Sequence, residues 1–271
     1  MNNKPGHIIH YYFQRVNKHA REIEKDFNEE TIHLFRVDIK KLRAFLRMLR
    51  FEAEEPHELK FPAVFKKMYS LTGKIRDRQL LLKRLEETKK ISGDRLHKTI
   101  SSFKQELEEL TKKKDEILSK KEVEEIEEKI KKHIPAKVHA TLIKKFFLQK
   151  SGVIKEIIAK ADKKDKELHS LRKNLKDIIY VISIFRVKFK TAFHILPWDR
   201  AELKKAEDLS HTLGLFNDSY IALSFLKPAE IKKGDQEEKE LLLLLRRQWL
   251  REKRKLKKEI LNKIPEIKWD Y

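Results

Sequence analysis

The spacing of apolar residues is helical over most of this chain. Between residues 31 and 50 they recur every three or four positions, at Ile32, Phe35, Ile39, Leu42, Leu46 and Leu49. This spacing puts them on one face of an α-helix, where they pack against a core. No segment shows the convincing alternation of apolar and polar residues that marks a half-buried strand. The sequence therefore predicts an all-α protein.

Helix boundaries follow from this periodicity and from the turn residues between periodic segments. We expect helices over about residues 7–27, 28–52, 62–90, 94–118, 137–161, 164–190, 199–227 and 235–263. A capping box at Ser119 begins a further short helix. Pro135 separates an N-terminal half, about residues 5–135, from a C-terminal half, about residues 136–271. About four helices in each half predict two antiparallel bundles, packed side by side in a single domain of residues 1–271.

A charged motif occurs once in each half. Residues 31–40, TIHLFRVDIK, align with residues 167–176, ELHSLRKNLK, so that a histidine, an arginine and a lysine coincide. Further along, residues 71–77, LTGKIRD, and residues 213–218, LGLFND, share a glycine with an aspartate four positions later. Two related halves that carry the same charged helix suggest internal pseudo-two-fold symmetry, with a site where the halves meet.

A row of potential cations flanks the apolar face of the first copy. Each member follows an apolar position by one residue, which is about 100° of helix rotation. This cation row is His33, Arg36, Lys40, Arg43, Arg47 and Arg50. No acid interrupts it to relieve the repulsion, and a bound anion would explain that, because arginine and lysine at successive turns can each take a phosphate. The alternative interpretation is that the row is a solvated helix edge, where the alkyl parts of the lysine and arginine side chains cover the core.

The second copy carries fewer cations than the first. Ile179 and Ser183 occupy the positions that correspond to Arg43 and Arg47. We therefore expect a lopsided site, in which Lys173 on the adjacent helix face compensates in part.

The paired glycines and aspartates each have two interpretations. A glycine inside a helix costs roughly 1 kcal/mol relative to alanine. Gly73 and Gly214 therefore suggest either close helix packing or a backbone that approaches a bound anion. Asp77 and Asp218 are either partners that hold arginines of the cation row in position, or ordinary surface ion pairs and caps.

Composition narrows the class of partner. The chain has 64 Lys+Arg against 43 Asp+Glu, a formal net charge of +21, which favours a polyanionic partner without identifying it. It has no cysteine, which excludes disulfides and cysteine-based metal sites. The first residues lack the pattern of a secretory signal, and no apolar run reaches the ~18 residues of a membrane span. We expect a cytoplasmic protein without a membrane partner.

The sequence carries no recognisable catalytic motif. Neither a P-loop nor an H-E-x-x-H zinc helix is present and nothing resembles a catalytic triad, so we assign no catalytic residue and no cofactor. His33 and His169 each have an acid four residues earlier, but an arginine one turn later would repel a divalent cation, so we expect no metal site. A phosphate favours the protonated imidazole, so binding should tighten below about pH 6.5 if these histidines contact the anion.

Taken together, these motifs resemble the CHAD domain, the conserved histidine α-helical domain. Residues 33–43, HLFRVDIKKLR, are similar to that family's H-x-x-R-V-x-x-[RK]-[RK]-L-R signature, and residues 73–77, GKIRD, to its G-x-x-R-D element. The family's pattern for the second half of the domain is matched by residues 169–176 with Tyr180, and by residues 213–218. The resemblance implies two four-helix bundles with pseudo-two-fold symmetry around a basic cleft that binds inorganic polyphosphate, and an association with polyphosphate granules.

We therefore predict a non-enzymatic module that binds polyphosphate, or another polyanion, through a basic cleft between the halves. The residues predicted to bind it are His33, Arg36, Lys40, Arg43, Arg47, Arg76, His169, Arg172, Lys173 and Lys176. The residues predicted to support the site are Gly73, Asp77, Gly214, Asn217 and Asp218.

Two other functions fit the same charge. A nucleic-acid-binding protein would attract RNA or DNA with the same field, but the cation row contains no aromatic residue on which bases could stack. A metal-dependent phosphoanhydride hydrolase would require Asp77 and Asp218 to bind the metal ion.

Overall fold

The computed structural model describes residues 4–160, 163–188, 196, 198–231 and 235–269, and within these residues it is helical without any strand. The α-helices are α1 Pro5–Lys25, α2 Glu29–Leu49, α3 Ala63–Ser92, α4 His97–Thr111, α5 Lys120–Lys132, α6 Ala140–Ile158, α7 Asp165–Lys188, α8 Arg200–Phe225, α9 Pro228–Ile231 and α10 Gln236–Lys263. Short 3₁₀ segments occur at Gly93–Leu96, Lys114–Glu116 and Ile264–Glu266. The prediction of an all-α protein is confirmed.

The predicted helices are present, with two differences. The fourth was expected to reach residue 118, but α4 ends at Thr111. The apolar spacing continues beyond it because Leu118 is buried in the core from an irregular segment rather than from a helix. The short helix α9 was not predicted. The expected end of α7 near residue 190 lies outside the described residues.

Side-chain caps set where several helices begin. The Asn28 side chain accepts hydrogen bonds from two backbone N–H groups of the first turn of α2. Ser119 and Glu122 form the predicted capping box at α5. Asp199 and Asp235 accept a backbone N–H in the first turn of α8 and α10. These caps fix the positions along the chain at which α2, α5, α8 and α10 start.

The helices pack in the same order in the two halves. In the first, α1 packs on α2, α2 on α3 and α3 on α4; in the second, α6 packs on α7, α7 on α8 and α8 on α10. Helices α2 and α7 pack against each other, and α3 contacts α8. The two helices that carry the charged motif therefore lie side by side where the halves meet.

Burial of the apolar stripes fixes how α2 and α7 are rotated. The six apolar stripe residues of α2 are each at most 1% exposed. Those of α7 are at most 2% exposed: Leu168, Leu171, Leu175, Ile178, Ile182 and Phe185. The Phe45 and Phe185 rings, one from each helix, lie 6.4 Å apart. Since the cations flank these stripes, burying the stripes turns the cations towards the junction of the two helices.

A second, smaller apolar core joins the far ends of the long helices. It is formed by side chains of α3, α4, α8, α9, α10 and the short segments beside them, among them Leu85, Ile100, Trp249 and Leu226, which directly follows α8. No helix among the described residues is long and apolar enough to cross a bilayer.

Candidate functional site

A pocket of about 620 Å³ opens between α2, α3, α7 and α8, and we call it the α2–α7 groove. All ten residues predicted to bind the anion line it: His33, Arg36, Lys40, Arg43, Arg47, Arg76, His169, Arg172, Lys173 and Lys176. Its lining also contains Asp77, Asn217 and Asp218 from the supporting set, but not Gly73, Gly214 or the last member of the cation row, Arg50. The remaining lining residues are Tyr69, Leu80, Asp177, Tyr180 and Ile221.

Arg36 is held against the backbone of α3. Its Nη1 donates to the Tyr69 carbonyl oxygen at 2.6 Å, and its guanidinium lies 4.1 Å from the centroid of the Tyr69 ring. A Cβ atom on Gly73 would lie 2.8 Å from the same Nη1. With glycine at position 73, the Arg36 guanidinium can lie in this position; a larger residue would force it to move.

Gly214 behaves differently from its counterpart in the first half. A Cβ atom built on Gly214 would have no heavy atom within 4 Å. Close helix packing as the reason for Gly214 is therefore wrong, and no neighbouring atom of the described residues requires glycine there.

The cations of the groove repel one another in the absence of a ligand. Burial, together with the charges of Arg36 and Arg172, lowers the pKa of Lys40 to about 7. Burial and Arg172 also lower the pKa of Lys176. The pKa of Arg43 is lowered by burial and by the charge of Arg47. The groove thus carries positive charge that the protein itself does not neutralise.

The two histidines are less easily protonated than an isolated imidazole. The pKa of His33 is lowered by partial desolvation and by the charge of Arg76. The pKa of His169 is lowered by desolvation and by Lys173, although its Nδ1 lies 3.1 Å from the Asn217 Oδ1 atom. In the free protein, both histidines therefore become protonated at a lower pH than the value of about 6.5 expected from the sequence.

Two of the predicted cations already have acidic partners. Arg47 Nη1 donates to both carboxylate oxygens of the buried Asp177, at 2.8 and 2.7 Å. Asp177 also forms an ion pair with Lys150, whose Nζ lies 2.9 Å from the carboxylate. Arg76 pairs with Glu29, which lies in the first turn of α2. Arg47 and Arg76 are therefore less available to an anion than the other cations.

Asp77 and Asp218 do not hold the arginines as the sequence suggested. Arg36 donates to Tyr69 and Arg47 to Asp177 instead. Burial raises the pKa of Asp77, and the charge of Asp218 raises it further. Within the described residues, no group of three or more histidine and acidic side chains is placed to hold a metal ion.

Two aromatic rings from outside the cation row also line the groove; Tyr180 was indicated only by the family resemblance, and Tyr69 was not predicted. Tyr69 comes from α3 and is covered by Arg36, while the Arg43 guanidinium lies 5.5 Å from its centroid. Tyr180 is buried, which raises its pKa to about 12, and Lys176 Nζ lies 5.6 Å from its ring centroid. Both rings thus lie close to cations of the protein that line the groove.

Comparison with known families identifies the fold. A family model described as the CHAD domain matches residues 7–227. The chain belongs to the CHAD domain family. A crystal structure of the CHAD domain from the plant Ricinus communis has the same fold, with a TM-score of 0.69 and 17% sequence identity over 92% of this chain and 87% of that one. Comparison with curated protein sequences gives no significant match. Every residue that lines the α2–α7 groove of this CHAD domain lies within the matched range.

Proposed function

We propose that this CHAD domain binds linear inorganic polyphosphate in the α2–α7 groove. The observation that supports this most strongly is the convergence of unneutralised cations from two helices on one concave surface. Burial, followed by the charges of neighbouring cations, lowers the pKa values of Lys40 and Lys176, so their charged forms are destabilised in the free protein. A bound polyanion would supply the missing negative charge and remove the repulsion.

The spacing of the cations suits a repeating anion. Successive turns of α2 present Arg36, Lys40 and Arg43, and α7 presents Arg172 and Lys176. A helical turn rises about 5.4 Å, so a phosphate chain that follows the helices meets a new cation at each turn. The matching order of helix packing in the two halves supports a pseudo-two-fold arrangement of this site. Binding of polyphosphate also agrees with the association of CHAD domains with polyphosphate-related proteins.

We further propose that the domain binds the chain without cleaving it, and that this binding places it on polyphosphate granules. The two aspartates that a hydrolase would need for a metal ion stand beside the cations of the groove, and the second carboxylate raises the pKa of the first. Release of phosphate from long-chain polyphosphate in the presence of Mg²⁺ or Mn²⁺ would overturn this part of the proposal.

The binding proposal is tested by titrating polyphosphate of defined length into the wild type and the Lys40→Ala/Lys176→Ala variant. The double variant should bind roughly tenfold more weakly or worse, because each lost lysine removes a charge-assisted hydrogen bond. Its matched control is Lys112→Ala/Lys113→Ala, which removes two exposed lysines that do not line the groove. Equal losses in both variants would show that binding reflects bulk charge.

Repeating the titrations at several salt concentrations distinguishes binding in the groove from binding spread over the basic surface. Each phosphate contact on a single-stranded polyanion contributes about 0.7 to the slope of log affinity against log salt. The double variant should therefore lower the slope by more than 1, whereas the control should leave it nearly unchanged. A charge-matched RNA that displaced polyphosphate equally well would support the nucleic-acid alternative.

A further inference from the structure

An apolar pocket adjoins the α2–α7 groove. It has a volume of about 330 Å³ and lies between α7 and α8. Its apolar lining is formed by Leu168, Leu213, Phe216 and Tyr220. The residues that line both this pocket and the groove are His169, Arg172, Asn217 and Ile221. The two cavities therefore meet at these four residues, and a ligand that extends past them would occupy both.

The apolar pocket has a buried floor and an aromatic rim. Leu213 and Phe216 are 1% and 4% exposed, whereas Tyr220 is 51% exposed. Lys253 of α10 lies 5.0 Å from the centroid of the Tyr220 ring and forms an ion pair with Asp165 at the pocket edge. These contacts hold the rim in place without a ligand.

An inorganic phosphate chain has no group that would use such a pocket. Every unit of the chain is charged, and apolar walls offer a charged group no compensation for lost hydration. A ligand that joins a phosphate chain to a flat ring would fill both cavities. The volume is at the lower end of the range of ~300–1,000 Å³ that is usual for small-molecule sites.

We propose that the groove and the apolar pocket together bind nucleoside 5′-polyphosphates, with the phosphate chain among the cations and the base in the apolar pocket. This inference rests on the proposed function of the groove. A nucleobase has apolar faces that suit Phe216 and Tyr220, and polar edges that suit Asn217 and His169 at the junction of the two cavities. A saturated hydrocarbon tail would use the walls but would offer those two polar side chains no hydrogen bond beyond the one they make with each other.

The test compares adenosine 5′-tetraphosphate with inorganic tetrapolyphosphate, which has the same number of phosphates and at least as much negative charge. We expect the nucleotide to bind roughly tenfold more tightly, the factor that one base–aromatic stack contributes. Charge alone predicts the opposite order. Equal or weaker binding of the nucleotide, with tetrapolyphosphate still bound, would refute this inference and leave the proposed function intact. Failure of both to bind would refute the two together.

Two variants test whether the base binds in the apolar pocket. Tyr220→Ala should abolish the preference for the nucleotide while leaving the affinity for tetrapolyphosphate unchanged. Leu215→Ala is the matched control, because Leu215 is 43% exposed on the same helix and lines a different cavity. A preference that persisted in Tyr220→Ala would contradict the assignment of the base to this pocket.

Discussion

Lys40 is the residue whose protonation responds most directly to an anion in the groove. Its pKa of about 7 in the free protein arises from burial and from neighbouring cations, so a bound phosphate raises it. Binding at pH 7.5 should therefore take up protons, and affinity should fall as the pH rises above about 7. Calorimetric titrations in buffers of different ionisation enthalpy measure this uptake.

Replacing Lys40 by arginine provides the control for that measurement. The guanidinium stays charged at every accessible pH, so Lys40→Arg should show a smaller uptake of protons while retaining binding. A binding enthalpy that did not depend on the buffer would contradict the location of the anion beside Lys40.

The two glycines that the sequence pairs should respond differently to substitution by alanine. Gly214→Ala introduces a Cβ into open space and improves helix propensity, so it should raise the free energy of unfolding by about 0.5–1 kcal/mol and leave binding unchanged. Gly73→Ala pushes against the Arg36 guanidinium, so it should gain less stability, or lose some, and weaken polyphosphate binding. Urea denaturation measures the free energy of unfolding of each variant, and titration with polyphosphate measures its affinity. Equal effects of the two substitutions would contradict the described position of Arg36.

At the scale of elements, the helices and their buried faces were predictable because each stripe depends only on local spacing. The stripe of α2 and that of α7 are buried as their periodicity indicates, and this alone turns the cations of both helices towards each other. The acidic partners of Arg47 and Arg76 were not predictable in this way. Asp177 is 130 residues from Arg47, and no local pattern links the two.

The ion pair between α2 and α7 both stabilises the helix junction and neutralises one cation of the groove. Asp177→Asn should lower the free energy of unfolding by about 1–3 kcal/mol, since the buried carboxylate accepts from Arg47 and Lys150. The same change frees Arg47 and should tighten polyphosphate binding. Denaturation and titration of the one variant measure both effects.

Asp208→Asn controls for the change in net charge. Asp208 is half-exposed on α8 and pairs with Lys204 one turn earlier. Its substitution should alter stability by less than about 0.5 kcal/mol, as is usual for surface pairs. Tighter binding in Asp208→Asn equal to that in Asp177→Asn would mean that overall charge, rather than Arg47, is responsible.

At the scale of the whole molecule, the formal charge of +21 exceeds what the groove contains. Other cations of the described residues lie on solvated helix faces, and several pair with acids one turn away, as Lys120 does with Glu124. Such a field steers a polyanion to the protein, but the concave groove decides where it stays. The sequence predicted which cations meet, because the repeat places them on equivalent helices. It did not predict the apolar pocket beside them, because that pocket depends on how α7 and α8 pack.

The most direct test of the central claim is a crystal structure of the protein with a short polyphosphate chain bound. We predict phosphate oxygens within hydrogen-bonding distance of Lys40, Arg172 and Lys176, with the chain lying along the α2–α7 groove. A chain bound elsewhere on the lysine-rich surface, with the groove unchanged, would contradict the account.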